Sequence, residues 1–150
     1  IEDSFLVKIP EEGKISLLLR NAKELEMQWK FKSAIEYYHR ALEIPHPEKH
    51  TFVLINLADL QIVLGRFDDA ELTVASIIKD APNLKFSEDY IYSKNDEVLK
   101  LISILEELGY YETAVKFLPQ LNPSIKVNAL KFVQLKFQEL ENKIKAKDYI

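Results

Sequence analysis

Residues 34–42 read Ala-Ile-Glu-Tyr-Tyr-His-Arg-Ala-Leu, and this stretch decides the fold. It predicts a helix in which Ala34 and Ala41, seven residues apart, lie on one face with Tyr38 between them. Small residues at this spacing let a second helix approach closely, and Tyr38 fills the space beside the contact. Such a helix cannot bury its apolar stripe alone, so it needs a packing partner.

The same pattern recurs twice further along the chain. A shift of 36 residues aligns Ala34 with Ala70, and a further shift of 44 aligns Ala70 with Ala114. Each alanine follows an aromatic residue by three positions, and these aromatics are Phe31, Phe67 and Tyr111. Three units near one period indicate a stacked array of helical hairpins.

The period and three quoted stretches resemble the tetratricopeptide repeat. The stretches are WKFKSAIEYYHRALEI, GRFDDAELTVASIIKDAP and GYYETAVKFL, and the resemblance covers roughly residues 15–123. It implies an all-α fold in which three helical hairpins form a right-handed solenoid closed by a C-terminal capping helix. A fold of this kind implies a binding role more than any particular chemistry.

The punctuation of the chain predicts its organisation. Prolines and glycines separate an N-terminal arm, or the tail of a preceding repeat, at residues 1–14 from the hairpins. The remaining segments are hairpins at 15–48, 51–84 and 95–123, an inserted loop at 85–94, and a capping helix at 124–150. The loop is rich in aromatics, which either staple it over a hairpin junction or contact a partner.

Composition excludes several classes of function. The formal net charge of −4 over 150 residues argues against nucleic acid or an anionic membrane as the main partner. No apolar run reaches membrane-spanning length, and no signal peptide is visible. The chain has no cysteine, which excludes thiolate metal sites and disulfides. We expect a cytoplasmic location, with the nucleus as the alternative.

The sequence contains no catalytic constellation. The three glycines form no phosphate-binding loop, and no serine lies in a nucleophile elbow. His46 and His50 have no third ligand nearby, and Asp68 and Asp69 are placed to stabilise a helix N-terminus. We therefore predict that the chain is not an enzyme and holds neither cofactor nor metal.

Repeat geometry predicts one site. Inner helices of a stacked array line a concave groove, which accepts an extended or helical segment of a partner protein. Helical spacing places in it Leu19, Lys23, Phe52, Ile55, Asn56, Asp59, Val63, Leu99, Lys100 and Ser103. The leading interpretation is a protein-binding module or scaffold subunit. The alternatives are an adaptor for acidic C-terminal tails and the targeting domain of a larger enzyme or regulator.

The resemblance gives the acidic-tail alternative specific residues. One subfamily of the repeat clamps the C-terminal carboxylate of chaperone tails with lysines, asparagines and an arginine. Asn56 matches the second-repeat asparagine, and Lys100 stands where the third-repeat arginine would be. Leu19 and Lys23 replace the first-repeat lysine and asparagine, and Asp96, in place of the third-repeat lysine, would repel a carboxylate.

The last helix is expected to cap the array. Its apolar stripe should pack inward while its lysines face water, with Phe132 and Leu135 beside the stripe. The stripe consists of Val127, Leu130, Val133, Phe137, Leu140 and Ile144. Because this helix is longer than one hairpin, self-association through its distal half is a second expectation.

Overall fold

The structure is a computed structural model that describes residues 10–79, 94–121, 134–135 and 137–145. All regular secondary structure in these residues is helical, as predicted. The chain divides into two compact units, Ile1–Ser87 and Glu88–Ile150. The inserted loop up to residue 93 and the proximal stripe residues Val127, Leu130 and Val133 lie outside the described residues.

The first unit consists of two helical hairpins. Helices α1 (Glu11–Met27) and α2 (Phe31–Glu43) pack together, as do α3 (Pro47–Val63) and α4 (Phe67–Ile78). Helix α3 also contacts α1 and α2, so the hairpins pack on one another within the unit.

Two inner helices begin earlier than the sequence predicts. Helix α1 begins at Glu11 rather than Ile15, inside the segment assigned to the arm, and α3 begins at Pro47 rather than Thr51. Proline suits the first helical position because its fixed φ is helical and its missing N–H would be unbonded there. Glu11 lies in the first turn of α1, where a carboxylate interacts favourably with the helix dipole.

Alanines lie at the centre of the packing. Ala34 and Ala41 on α2 are fully buried on either side of Tyr38, as the sequence predicts. Ala22 meets them from α1, and Ala70 has the corresponding place on α4. The core around the first hairpin is completed by Ile15, Leu18, Leu19, Val53, Leu57 and Leu60.

Each hairpin has the same turn. The N–H of Lys30 donates to the carbonyl of Leu25 (2.9 Å), and the N–H of Trp29 donates to that of Glu26 (3.0 Å). These two bonds form a Schellman motif, in which the residue just before the last donor must have a positive φ. The later turns supply Gly65 (φ 74°) and Gly109 (φ 82°), whereas the first places Trp29 at φ 62°. A bulky residue is rarely found in this conformation.

A buried hydroxyl links the two helices of each hairpin in the first unit. Tyr38 donates a hydrogen bond to the carboxylate of Glu26, so α2 is bonded to α1. In the second hairpin Thr73 Oγ1 lies 2.7 Å from Gln61 Oε1 and 3.0 Å from the carbonyl of Asp69. In each case the paired residues are 12 positions apart in sequence.

The second unit contains a third hairpin. It consists of α5 (Lys94–Glu107) and α6 (Tyr111–Phe117), followed by a 3-10 turn at Leu118–Gln120. Ala114 is fully buried against a core that includes Leu101 and Leu105. Pro119 ends the α-helix early, as predicted, because it cannot donate the hydrogen bond that would continue it.

The aromatic residue before each repeat alanine lies at the rim of the core and not inside it. Phe67 is 49% exposed, and Phe31 and Tyr111 are only partly buried. Each is the first residue of its helix, beside the turn. A side chain at this end of a hairpin covers the rim of the core. On α2, Ile35 lies one turn after Phe31 and is partly buried as well.

The C-terminal helix presents the opposite face from the one predicted. Phe137, Leu140 and Ile144 are 64%, 55% and 52% exposed, whereas Leu135 is fully buried. The expectation that this stripe packs inward is therefore wrong for its described residues. With 3.6 residues per turn, Leu135 lies almost opposite the stripe, so burying Leu135 turns the stripe to solvent. Lys143 and Lys145 are exposed, as predicted.

The buried alanines should resist enlargement. We expect Ala70→Leu to lower the free energy of unfolding by about 1–3 kcal/mol through overpacking, measured by urea denaturation. Ala75→Leu is the matched control, since Ala75 is exposed on the same helix, and it should be nearly neutral. Phe67→Ala should cost well below the roughly 3–5 kcal/mol of a buried phenylalanine. Equal melting of Ala70→Leu and the parent would refute the helix contact.

Substitutions at the two turn residues Gly65 and Trp29 should have different effects on stability. A Cβ at Gly65 meets nothing within 4 Å, so Gly65→Ala tests conformation alone and should cost about 1 kcal/mol. Trp29→Gly removes the same strain from the first turn, offset by loss of the Trp29–Phe31 ring contact, with centroids 6.0 Å apart. Denaturation should show stabilisation or no change for Trp29→Gly. A loss as large as that of Gly65→Ala would contradict the strained turn.

Candidate partner-binding groove

Equivalent positions on α1 and α3 form the candidate groove of the first unit. A shift of 36 residues relates Lys23 to Asp59 and Met27 to Val63. Met27 and Val63 are 81% and 69% exposed, and Lys23 and Asp59 are partly exposed. Because α1 contacts α3, these positions lie on adjacent helices.

Three of the predicted groove residues are buried. Leu19 belongs to the core of the first hairpin, and Ile55 and Asn56 are fully buried. The Asn56 amide nitrogen donates to the carbonyl of Phe52 one turn earlier (2.8 Å). None of the three is open to a partner, so the prediction that they line the groove is wrong for these residues. Phe52, also predicted, is partly buried and packs against the core.

A chain of contacts connects the core to the groove. The Tyr38 hydroxyl is bonded to Glu26, and the same carboxylate oxygen lies 3.6 Å from Lys23 Nζ. Both charged side chains are partly buried, with exposures of 24% for Lys23 and 18% for Glu26. The phenol therefore fixes the carboxylate, and the carboxylate holds the ammonium group at the groove.

Sequence reasoning missed the most exposed part of the surface on α1. Ser16, Arg20 and Met27 are all exposed and lie on one side of the helix. The repeat register carried the signal, because Ser16 and Met27 align with the predicted groove residues Phe52 and Val63. The resulting surface has an exposed apolar end at Met27 and Val63, with charges of both signs one to two turns earlier.

Comparison with known proteins identifies a family for part of the chain. The family model of the tetratricopeptide repeat matches residues 27–88. Residues 27–88 belong to the tetratricopeptide repeat family. No curated protein and no solved structure matches the chain. The matched residues contain α2, α3 and α4, and so include the second inner helix of the groove.

The third tetratricopeptide-like hairpin carries the remaining predicted residues. Leu99, Lys100 and Ser103 are partly buried on α5, next to the fully buried Leu101 and Ile102. They belong to the second unit and share a face of α5. Asp96, at the start of the same helix, is exposed.

A separate hollow lies at the edge of the first unit, between the start of α1 and the end of α2. It has a volume of about 440 Å³ and is lined by Glu11, Lys14, Leu18, Arg40, Glu43, Ile44 and Pro45. Two bases and two acids line it, so it selects no charge. The Arg40 guanidinium carbon lies 5.2 Å from the centre of the Tyr37 ring. The hollow therefore has the character of an exposed polar edge.

The described residues contain no candidate metal site. No group of three or more histidine, cysteine, aspartate or glutamate side chains there could hold an ion. His50 Nε2 donates to the carbonyl of Ile44 (2.7 Å), which orients this ring toward the backbone. Within the same part of the chain, no helix is long and apolar enough to cross a membrane.

Removing the Tyr38 hydroxyl should weaken both the fold and the order of the groove. We expect Tyr38→Phe to lower the free energy of unfolding by about 1 kcal/mol, because one hydrogen bond to a partly buried carboxylate is lost. Urea denaturation measures this. The matched control is Glu24→Gln, because Glu24 is an exposed carboxylate on α1, the helix that carries Glu26. This variant should change the free energy of unfolding little. Equal effects of the two variants would show that the Tyr38–Glu26 bond is not special.

Proposed function

We propose that the chain is a protein–protein interaction module or scaffold subunit whose inner-helix groove binds a peptide or helical segment of a partner. The observation that carries this proposal is the exposure of Met27 and Val63 at equivalent positions on adjacent inner helices. Large apolar side chains exposed at repeated positions contribute nothing to the fold, whereas burying them against a partner is favourable.

The charges beside Met27 and Val63 favour a partner of mixed character. Arg20 and Lys23 supply positive charge on α1, and Asp59 supplies negative charge on α3. An amphipathic segment with apolar anchors and charges of both signs matches this order better than an acidic tail does. The acidic-tail alternative also loses its best matching residue, because Asn56 is buried and donates to its own helix.

The same groove would serve in the other functional roles that the sequence suggests. A targeting domain within a larger enzyme or regulator would use the same groove, with the chemistry located elsewhere. A cytoplasmic or nuclear location stays a prediction from composition. Self-association through the C-terminal helix is a separate surface and is argued below.

A peptide library displayed on phage can test the groove without a known partner. After selection against the intact chain, the affinity of the tightest synthetic peptide is measured by fluorescence anisotropy. We expect Val63→Glu and Met27→Glu each to raise its Kd at least about tenfold, or about 1.4 kcal/mol.

The outer helix supplies a matched control. Leu72 on α4 is 72% exposed, close to the exposure of Val63, so Leu72→Glu introduces the same charge on an outer helix. It should leave the Kd unchanged. If Leu72→Glu weakens binding and the two groove variants do not, the binding surface is the outer face and the proposal is wrong. A steep loss of affinity with salt would instead favour the acidic-tail adaptor.

A further inference from the structure

The apolar side of the C-terminal helix is exposed and its polar side is partly buried. Phe137, Leu140 and Ile144, at spacings of three and four, form an exposed apolar stripe. The opposite side is partly buried although it contains Gln138, Glu139 and Asn142, and Leu135 on that side is fully buried. An amphipathic helix that only capped the array would have the stripe inside.

The spacing of the stripe is that of a coiled-coil seam. In a heptad, apolar residues alternate at steps of three and four, so Phe137, Leu140 and Ile144 take the first, fourth and first positions. Leu135 then falls at the position farthest from the seam. Leu135 can therefore stay buried while the seam contacts another helix.

The charges beside the stripe indicate which helix that is. Glu141 lies on one flank of the seam and Lys143 on the other, and both are exposed. In a parallel two-stranded coiled coil the two different flanks face each other, whereas in an antiparallel pair each flank faces its own copy. We infer that the stripe binds the same stripe of a second copy of this chain, with the two helices parallel. The basic flank of each copy then faces the acidic flank of its partner, and an antiparallel pair would oppose like charges.

The ion pair within the helix is compatible with this arrangement. Lys143 Nζ lies 3.3 Å from Glu139, one turn earlier, while its side chain remains 62% exposed. The ammonium group can therefore also attract an acidic flank across the seam. This inference does not depend on the peptide groove, which lies on α1 and α3 of the other unit.

Sedimentation equilibrium of the intact chain tests the association. Between about 10 µM and about 1 mM we expect a monomer–dimer equilibrium, because a seam this short gives modest affinity. Leu140→Glu should raise the dimer Kd at least tenfold. Leu72→Glu, which replaces an exposed leucine on α4 of the other unit, should leave it unchanged. A parent chain that is monomeric throughout, or equal effects of the two variants, would overturn the inference.

Charge exchange tests the parallel direction. In a parallel pair Glu141 faces the flank position five residues earlier on the second copy, which is Lys136 in the sequence. Glu141→Lys therefore opposes two lysines and should weaken the dimer several-fold, and the double variant Lys136→Glu, Glu141→Lys should restore it. Circular dichroism verifies that each variant keeps its helix content. In an antiparallel dimer Glu141→Lys would only replace one like-charge pair by another, so an unchanged Kd would exclude the parallel arrangement.

Single cysteines give an independent measure of direction, since the chain has none of its own. Phe137→Cys and Ile144→Cys should each form a disulfide with the same position of the second copy under mild oxidation. An antiparallel pair cannot bring both positions onto their own copies, and would give mixed 137–144 disulfides when the two variants are combined. The groove variant Val63→Glu should dimerise like the parent, so the two proposals can fail separately.

Discussion

The close contact at one alanine per hairpin is the constraint on which the rest of the structure depends. Ala34, Ala70 and Ala114 are all fully buried. The backbone N–H of each donates, at 3.0 Å, to the carbonyl of the last residue of the turn before it. The contact point is thus fixed five residues after the residue with positive φ. Because turn and contact are tied together, the two helices of a hairpin have one register.

This constraint explains why most of the fold could be predicted. Alanine spacing, glycine turns and Pro119 are local features, and each acts through the backbone within a few residues. The exceptions lie where a local sequence pattern is compatible with two different structures. Pro47 could end a linker or begin a helix, and it begins one. Trp29 shows the converse, because the turn adopts positive φ even though the residue there is not glycine.

How deeply a side chain is buried was harder to predict than the face of the helix on which it lies. Helical spacing places Ile55 and Asn56 beside Asp59, but their exposure depends on neighbouring elements that spacing does not describe. The same holds for Phe67, whose position at a helix start puts it at the rim of the core. In the last helix both faces carry apolar residues, so the stripe alone could not decide which face its unit buries.

Both proposed binding surfaces rest on exposed apolar side chains and not on polar motifs. Folding explains the buried alanines and the hydroxyl links, but not Met27 and Val63 on the inner helices, nor the stripe of the last helix. Burying the three stripe residues on each copy would contribute on the order of several kcal/mol, since each is already about half covered. Loss of rotational and translational freedom costs a comparable amount. The association that remains is weak, and it would be strengthened wherever a partner bound in the groove brings two copies together.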